Sequence, residues 1–239
     1  MSVLTLRLAG PLQSWGASSR FTRRTTESAP TKSGVIGMLA AASGIERGDD
    51  EALAGLGALR FGVRIDQPGT RVRDFQTAHH GVTGTSMPLS ERFYLADAVF
   101  VAALEGDGAL LATLHAALRA PVYPPFLGRR SCPPALPVEL GLYDGISLDQ
   151  ALTDEPWQAA PWYRRQHRRK AMVSLMVLRE ANEDEHDTDF QRDQPLSFAA
   201  EHRRHALRTV VNRTVDIPNP AAAPRHPRHD PFDALKERA

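Results

Sequence analysis

From Ser2 to Ala9 the chain alternates, with Leu4, Leu6 and Leu8 on one parity and Val3, Thr5, Arg7 and Ala9 on the other. That period of two predicts a half-buried strand. A polar segment over residues 10–32 follows. Over residues 33–43 the spacing of Val35, Ile36, Leu39 and the alanines predicts a helix with Ser33 as its cap. Alternation returns at residues 59–66 (LRFGVRID) and 94–104 (YLADAVFVAAL). Within 108–118, Leu110, Leu111, Leu114 and Leu118 then share one helical face. Between the second and third strands lies a long stretch with Gly69, Gly81, Gly84 and Pro88 and no core-forming pattern, as is usual for a functional or disordered segment.

If a fourth strand follows, the order β, α, β, insertion, β, α is the split βαβ unit of ferredoxin-like and RNA-recognition folds. The expected class is α+β, with a ferredoxin-like domain over residues 1–140 and an insertion at about 70–93. Prolines and Gly128 make residues 121–137 (PVYPPFLGRRSCPPALP) a strand-poor loop. Beyond it, residues 171–179 and 207–217 read as strands separated by an acidic loop, predicting a small β-rich C-terminal domain over 141–218. The Pro-, Ala- and His-rich residues 219–239 show no periodicity and are expected to be a mobile tail.

Net charge is only +1, which by itself gives a nucleic-acid partner no support. Its distribution says more. Residues 1–45 carry Arg7, Arg20, Arg23, Arg24 and Lys32 against Glu27 alone, and residues 161–173 carry Arg164, Arg165, Arg168, Arg169 and Lys170 with no acid. Residues 180–193 set seven carboxylates against Arg192 and should repel a phosphate backbone. Cys132 is the single cysteine, so an intrachain disulfide and a four-thiolate zinc site are excluded. With no long apolar run and no charged leader, the expectation is a cytoplasmic protein without membrane contact.

Three constellations carry candidate chemistry. Gln13, Ser14, Trp15, Arg20, Phe21, Arg23, Arg24, Lys32 and Ser33 combine phosphate-binding groups, two stacking faces and a helix start, a mix suited to single-stranded RNA. The alternative is a solvated loop with Trp15 as a core anchor. Arg129 and Arg130 follow Gly128, whose missing side chain lets backbone amides approach a ligand. The insertion holds Arg73, His79, His80, Arg92, Phe93 and Tyr94. Adjacent histidines on a strand point to opposite faces, so a shared metal is not expected. The basic run WYRRQHRRK, residues 162–170, is expected to meet RNA phosphate, the acidic loop or solvent. Signatures of zinc proteases, α/β-hydrolases and nucleotide-binding loops do not occur.

Read together, LRLAGPLQSWG (6–16), SRFTRRTTESAPTKSGVIGMLAAASG (19–44), LRFGVRIDQPG (59–69), ERFYLADAVF (91–100) and FLGRRSCPPALP (126–137) resemble the CasD family, the Cas-five-type RAMP subunit of the type I-E CRISPR Cascade complex. The resemblance implies a modified RNA-recognition domain with a β-hairpin thumb and a small C-terminal β domain. It implies a non-catalytic subunit, without cofactor or metal, that binds the 5′ handle of the guide RNA (crRNA) and caps the guide-bearing backbone in antiviral DNA surveillance. Its partners would be CasC and CasA, with target DNA touched only indirectly or through the thumb. On this view Gln13, Ser14, Arg20, Arg23, Arg24, Lys32 and Ser33 line the handle, Arg129 and Arg130 make a glycine-loop contact, and Arg92 and Tyr94 stand at the base of the thumb. The acidic loop and the tail do not align with the family.

A rival expectation comes from a related branch whose members cut the guide precursor with a tyrosine, lysine and histidine set. This chain offers Tyr94, His79 and His80, but its only lysines are Lys32, Lys170 and Lys236.

Overall fold

The computed structural model describes residues 1–16 and 23–224. Its elements run β1 (Ser2–Ala9), β2 (Leu12–Gln13), β3 (Arg23–Arg24), α1 (Lys32–Ala42), α2 (Asp50–Gly57), β4 (Arg60–Gln67), β5 (Thr70–Gln76), β6 (Ser90–Ala96) and β7 (Val99–Gly106). They continue with α3 (Gly108–Arg119), β8 (Glu139–Asp144), α4 (Leu148–Asp154), α5 (Pro161–Gln166), β9 (Met172–Glu180), β10 (Asp189–Ser197) and β11 (Arg204–Pro218). Seven strands form one antiparallel sheet in the order β10-β11-β9-β4-β7-β1-β8. Strands from both sides of residue 140 share it, because β8 pairs with β1 and β9 pairs with β4.

The leucine parity of β1 explains the layering. Leu4, Leu6 and Leu8 pack with α1, α2 and α3 through Val35, Ile36, Leu39, Leu56, Leu111 and Leu114. Val3, on the other parity, joins Val101, Ala103 and Val177 under Leu148, Ala151 and Leu152 of α4. The sheet is thus buried on both faces at its centre, and α4 occupies the surface on which an RNA-recognition fold would stack bases.

α1 starts one residue earlier than expected. Its cap is Thr31, whose hydroxyl accepts from Gly34 N at 3.2 Å, and Ser33 lies inside the helix. α4 is anchored by the wholly buried Arg64, which chelates Asp66 and donates to the carbonyls of Leu152, Glu155 and Pro156. These bonds use all five guanidinium protons, so the buried charge is matched in full.

Two sequence readings need correction. The apolar run at 94–104 is not one strand; Asp97 turns the chain with φ 56, separating β6 from β7. The segment read as an acidic loop contains most of β10, and three of its seven carboxylates form ion pairs within the molecule. Glu180 meets Lys32, Asp193 meets Arg208, and Glu185 meets Arg179 and Arg213. No helix among the described residues is long and apolar enough to cross a membrane.

Candidate nucleic-acid interface

The residues after β1 turn inward. Gln13 is fully buried; its Nε2 donates to the carbonyls of Leu8 (3.0 Å) and Ala98 (2.7 Å), and its Oε1 accepts from Trp15 Nε1 at 3.0 Å. Ser14 Oγ donates to Phe93 O at 3.0 Å. Trp15 is fully buried, its amide bonded to Thr26 Oγ1 and its ring against Gly34, where a Cβ would come within 2.9 Å. Trp15 is therefore a core anchor and has no free face for a base.

Lys32 and Ser33 are also interior. Lys32 Nζ bonds Glu180 Oε1 at 2.7 Å, and its amide donates to Asp193 Oδ2 at 2.7 Å. Burial holds the Lys32 ammonium below its ordinary pKa, opposed by Glu180. The pair ties α1 to β9 and offers nothing to a phosphate. Arg20 and Phe21 lie outside the described residues.

The glycine loop packs on this lock. Leu127 O accepts from Ser14 N at 3.1 Å, and Gly128, with φ +81, sits so close that a Cβ would overlap the Ser14 carbonyl. Glycine is needed here for protein against protein. Arg129 reaches back, its Nη2 donating to Arg24 O at 2.9 Å and its guanidinium lying 4.8 Å from the Tyr94 ring centre. Arg130 is exposed.

The insertion builds the open surface. β5 and β6 pair as a hairpin from Thr70↔Ala96 to Gln76↔Ser90, and β2 and β3 join the other side of β6. Opposed residues share a face, so the register sorts the side chains. One face carries Arg71, Arg73 and Phe75 of β5, Glu91 and Phe93 of β6, and Arg23 of β3. Arg23 and Arg71 lie 5.5 Å and 4.9 Å from the Phe93 ring centre, and Arg73 lies 4.3 Å from that of Phe75. Glu91 is the single acid of the group, 3.9 Å from Arg23 and 3.5 Å from Arg73. The opposite face carries Arg24, Asp74, Arg92 and Tyr94. There Arg92 Nε and Arg129 Nη1 are buried without a hydrogen-bond partner among the described residues.

Of the expected contacts, the structure thus gathers Arg23, Arg24, Arg73, Arg92, Tyr94 and Arg129 on or beside the hairpin. Gln13, Ser14, Trp15, Lys32 and Ser33 are withdrawn into the core. Arg71 and Phe75 were missed, although the parity of 71, 73 and 75 already aligns them once the segment is taken as a strand. His79 and His80 lie beyond β5 near the hairpin tip, where His79 Nδ1 meets Gly84 O and Ser86 Oγ and His80 meets Thr83. They lie three and four residues beyond the end of β5, whereas Tyr94 pairs with Val72 inside it. Among the described residues, no group of three His, Cys, Asp or Glu side chains could hold a metal ion.

Residues 3–211 match the family model of CRISPR-associated protein (Cas_Cas5). The chain belongs to the Cas5 family. This Cas5 chain is 36% identical over 169 residues to the CRISPR system Cascade subunit CasD of Escherichia coli (strain K12), covering 63% of the chain and 75% of that protein. Among solved structures, it matches a chain of a CRISPR RNA-guided surveillance complex with TM-score 0.73 and 32% identity, covering 98% of each. A crystal structure described as a Cas protein matches with TM-score 0.68 and 36% identity, covering 94% of this chain and all of the other.

Proposed function

We propose that this chain is a non-catalytic subunit of a Cascade complex, that it binds the 5′ handle of the guide RNA and caps the guide-bearing backbone, and that the hairpin acts as a thumb whose arginine and phenylalanine face holds the strand. Relatives named as a Cascade subunit and as part of an RNA-guided surveillance complex support the reading at the level of the assembly. One observation carries it to residues: Arg23, Arg71 and Arg73 alternate with the exposed Phe75 and half-buried Phe93 on a single face. Guanidinium groups grip phosphate oxygens and aromatic rings stack bases of any sequence, the pairing that suits a single strand.

The strand order β4-β7-β1-β8, with helices after β1 and after β7, supports a ferredoxin-like core. On this reading residues 1–140 with the thumb carry the RNA, while residues 141–218 cover the sheet's second face and add its outer strands. CasC and CasA are the proposed neighbours and the cytoplasm the proposed compartment.

The non-catalytic assignment draws on the scattering of the rival cleavage set, since a base and a cation must both stand beside the reacting phosphate. The test is incubation of the purified chain with labelled repeat-derived RNA, without metal, in a salt series. Intact RNA retained less well as salt rises is the expected result. Specific cleavage that is lost in His79→Ala and His80→Ala variants would transfer the chain to the nuclease branch, and no retention at any salt would remove the RNA contact.

A further inference from the structure

The basic run at 162–170 is not used by any of the contacts above. α5 and the turn after it expose Trp162, Arg165, Arg168, Arg169 and Lys170. None of these four cations forms an ion pair among the described residues, and the acidic segment instead takes Lys32, Arg179, Arg208 and Arg213.

The turn that presents them is held firmly. Asn219, buried at the end of β11, donates from Nδ2 to His167 O at 3.0 Å and Lys170 O at 3.2 Å, and its amide donates to Ala171 O at 2.8 Å. Ala223 N donates to Arg168 O at 2.8 Å. Below, Tyr163 and His167 lie 4.7 Å apart with their rings tilted at 42°, and both meet edge-on Trp157, which is buried with Val173, Leu175 and Ile217. Trp162 meets Tyr163 edge-on at 5.6 Å and remains 45% exposed. A rigid backbone that carries unpaired cations beside an open indole lowers the ordering cost of binding.

We infer that α5 and its following turn form a second, sequence-independent platform for a single-stranded polynucleotide, separate from the hairpin. Three of the four cations are arginines, which fit phosphate oxygens bidentately, and the exposed tryptophan supplies a stacking face; an acidic protein surface would use the cations and leave the indole without a role. The platform packs on the α4 side of the sheet, whereas the hairpin root, through Tyr94 and Leu95, packs with α1–α3. The two surfaces therefore serve either two stretches of the guide or the guide and a separate single strand.

Trp15 and Trp157 are buried, so Trp162 is the one tryptophan among the described residues that a bound base reaches. The experiment titrates the chain, in the Arg23→Gln/Arg71→Gln/Arg73→Gln background that removes the hairpin's cations, with oligo(U), oligo(dT) and a duplex of equal length. Quenching of tryptophan fluorescence and the salt slope of affinity are both read. Single strands should quench and the duplex should quench less, and Trp162→Phe should abolish the signal. Replacing Arg165, Arg168, Arg169 and Lys170 by Gln should lower the single-strand slope by up to about 3, at about 0.7 per phosphate contact. Preference for oligo(U) or for oligo(dT) identifies the source as RNA or DNA. Quenching and slope unchanged in these variants would overturn the inference. So would an assembled Cascade complex in which the fourfold variant sheds a protein subunit while binding polynucleotide normally, which would make the partner a protein.

Discussion

The motif-rich segments around Trp15 and Gly128 and the motif-poor hairpin at 70–96 contrast in how far their polar groups are spent. In the first region every polar group of Gln13 is bonded within the chain, Ser14 is tied to Phe93 and Leu127, and Lys32 is closed by Glu180. In the second, arginines lie over rings with one carboxylate among them, and Phe75 is 52% exposed. The difference teaches that the most recognisable residues of this chain set the position of the proposed interface, while less distinctive ones supply its open side chains.

Substitutions should separate the two regions, and the largest effects should fall on the lock. Gly128→Ala forces a side chain into the Ser14 carbonyl at positive φ, and its expected cost exceeds about 4 kcal/mol, read by urea unfolding or by loss of soluble chain. Trp15→Ala should cost about 3 to 5 kcal/mol in the same assay, through lost burial and an unpaired Gln13. If either left stability unchanged, the lock would not be structural.

On the hairpin the expected effects move from stability to binding. Phe75→Ala should weaken RNA binding by about 1 to 3 kcal/mol while changing unfolding by no more than about 0.5 kcal/mol. Glu91→Gln removes the one acid of that face and should tighten RNA binding roughly twofold to fivefold, an amount in keeping with an exposed charge. The smallest expected effect is one of pH. Burial and Arg203 hold His205 below its ordinary 6.5, so the unfolded chain takes up a proton there before the folded chain does. Stability should therefore fall as pH drops through 6.5 toward the lowered value, and His205→Gln should flatten that slope.

Much of the fold was legible in local pattern. The parity of Leu4, Leu6 and Leu8, and the helical spacing of Leu111, Leu114 and Leu118, gave elements that the core then uses. What was hidden depends on partners far along the chain. Asp97 breaks the apolar run at 94–104 without a glycine or proline to signal it. Asp193 of β10 and Glu180 of β9 read as part of a solvated loop because Arg208 and Lys32, which neutralise them, lie 15 and 148 residues away. Trp15 read equally well as stacking face or anchor, and only its bonds to Gln13 and Thr26 decide between them. The arginines of β5 needed the register with β6 before they could be seen to share a face.

The measurement that bears most directly on the central claim is the salt dependence of 5′-handle RNA binding by the wild-type chain and by the Arg23→Gln/Arg71→Gln/Arg73→Gln variant. Each guanidinium that neutralises a phosphate adds about 0.7 to the slope of log affinity against log salt, so removing all three should lower that slope by about 2. An unchanged slope would contradict the account and return the RNA to some other surface of the molecule.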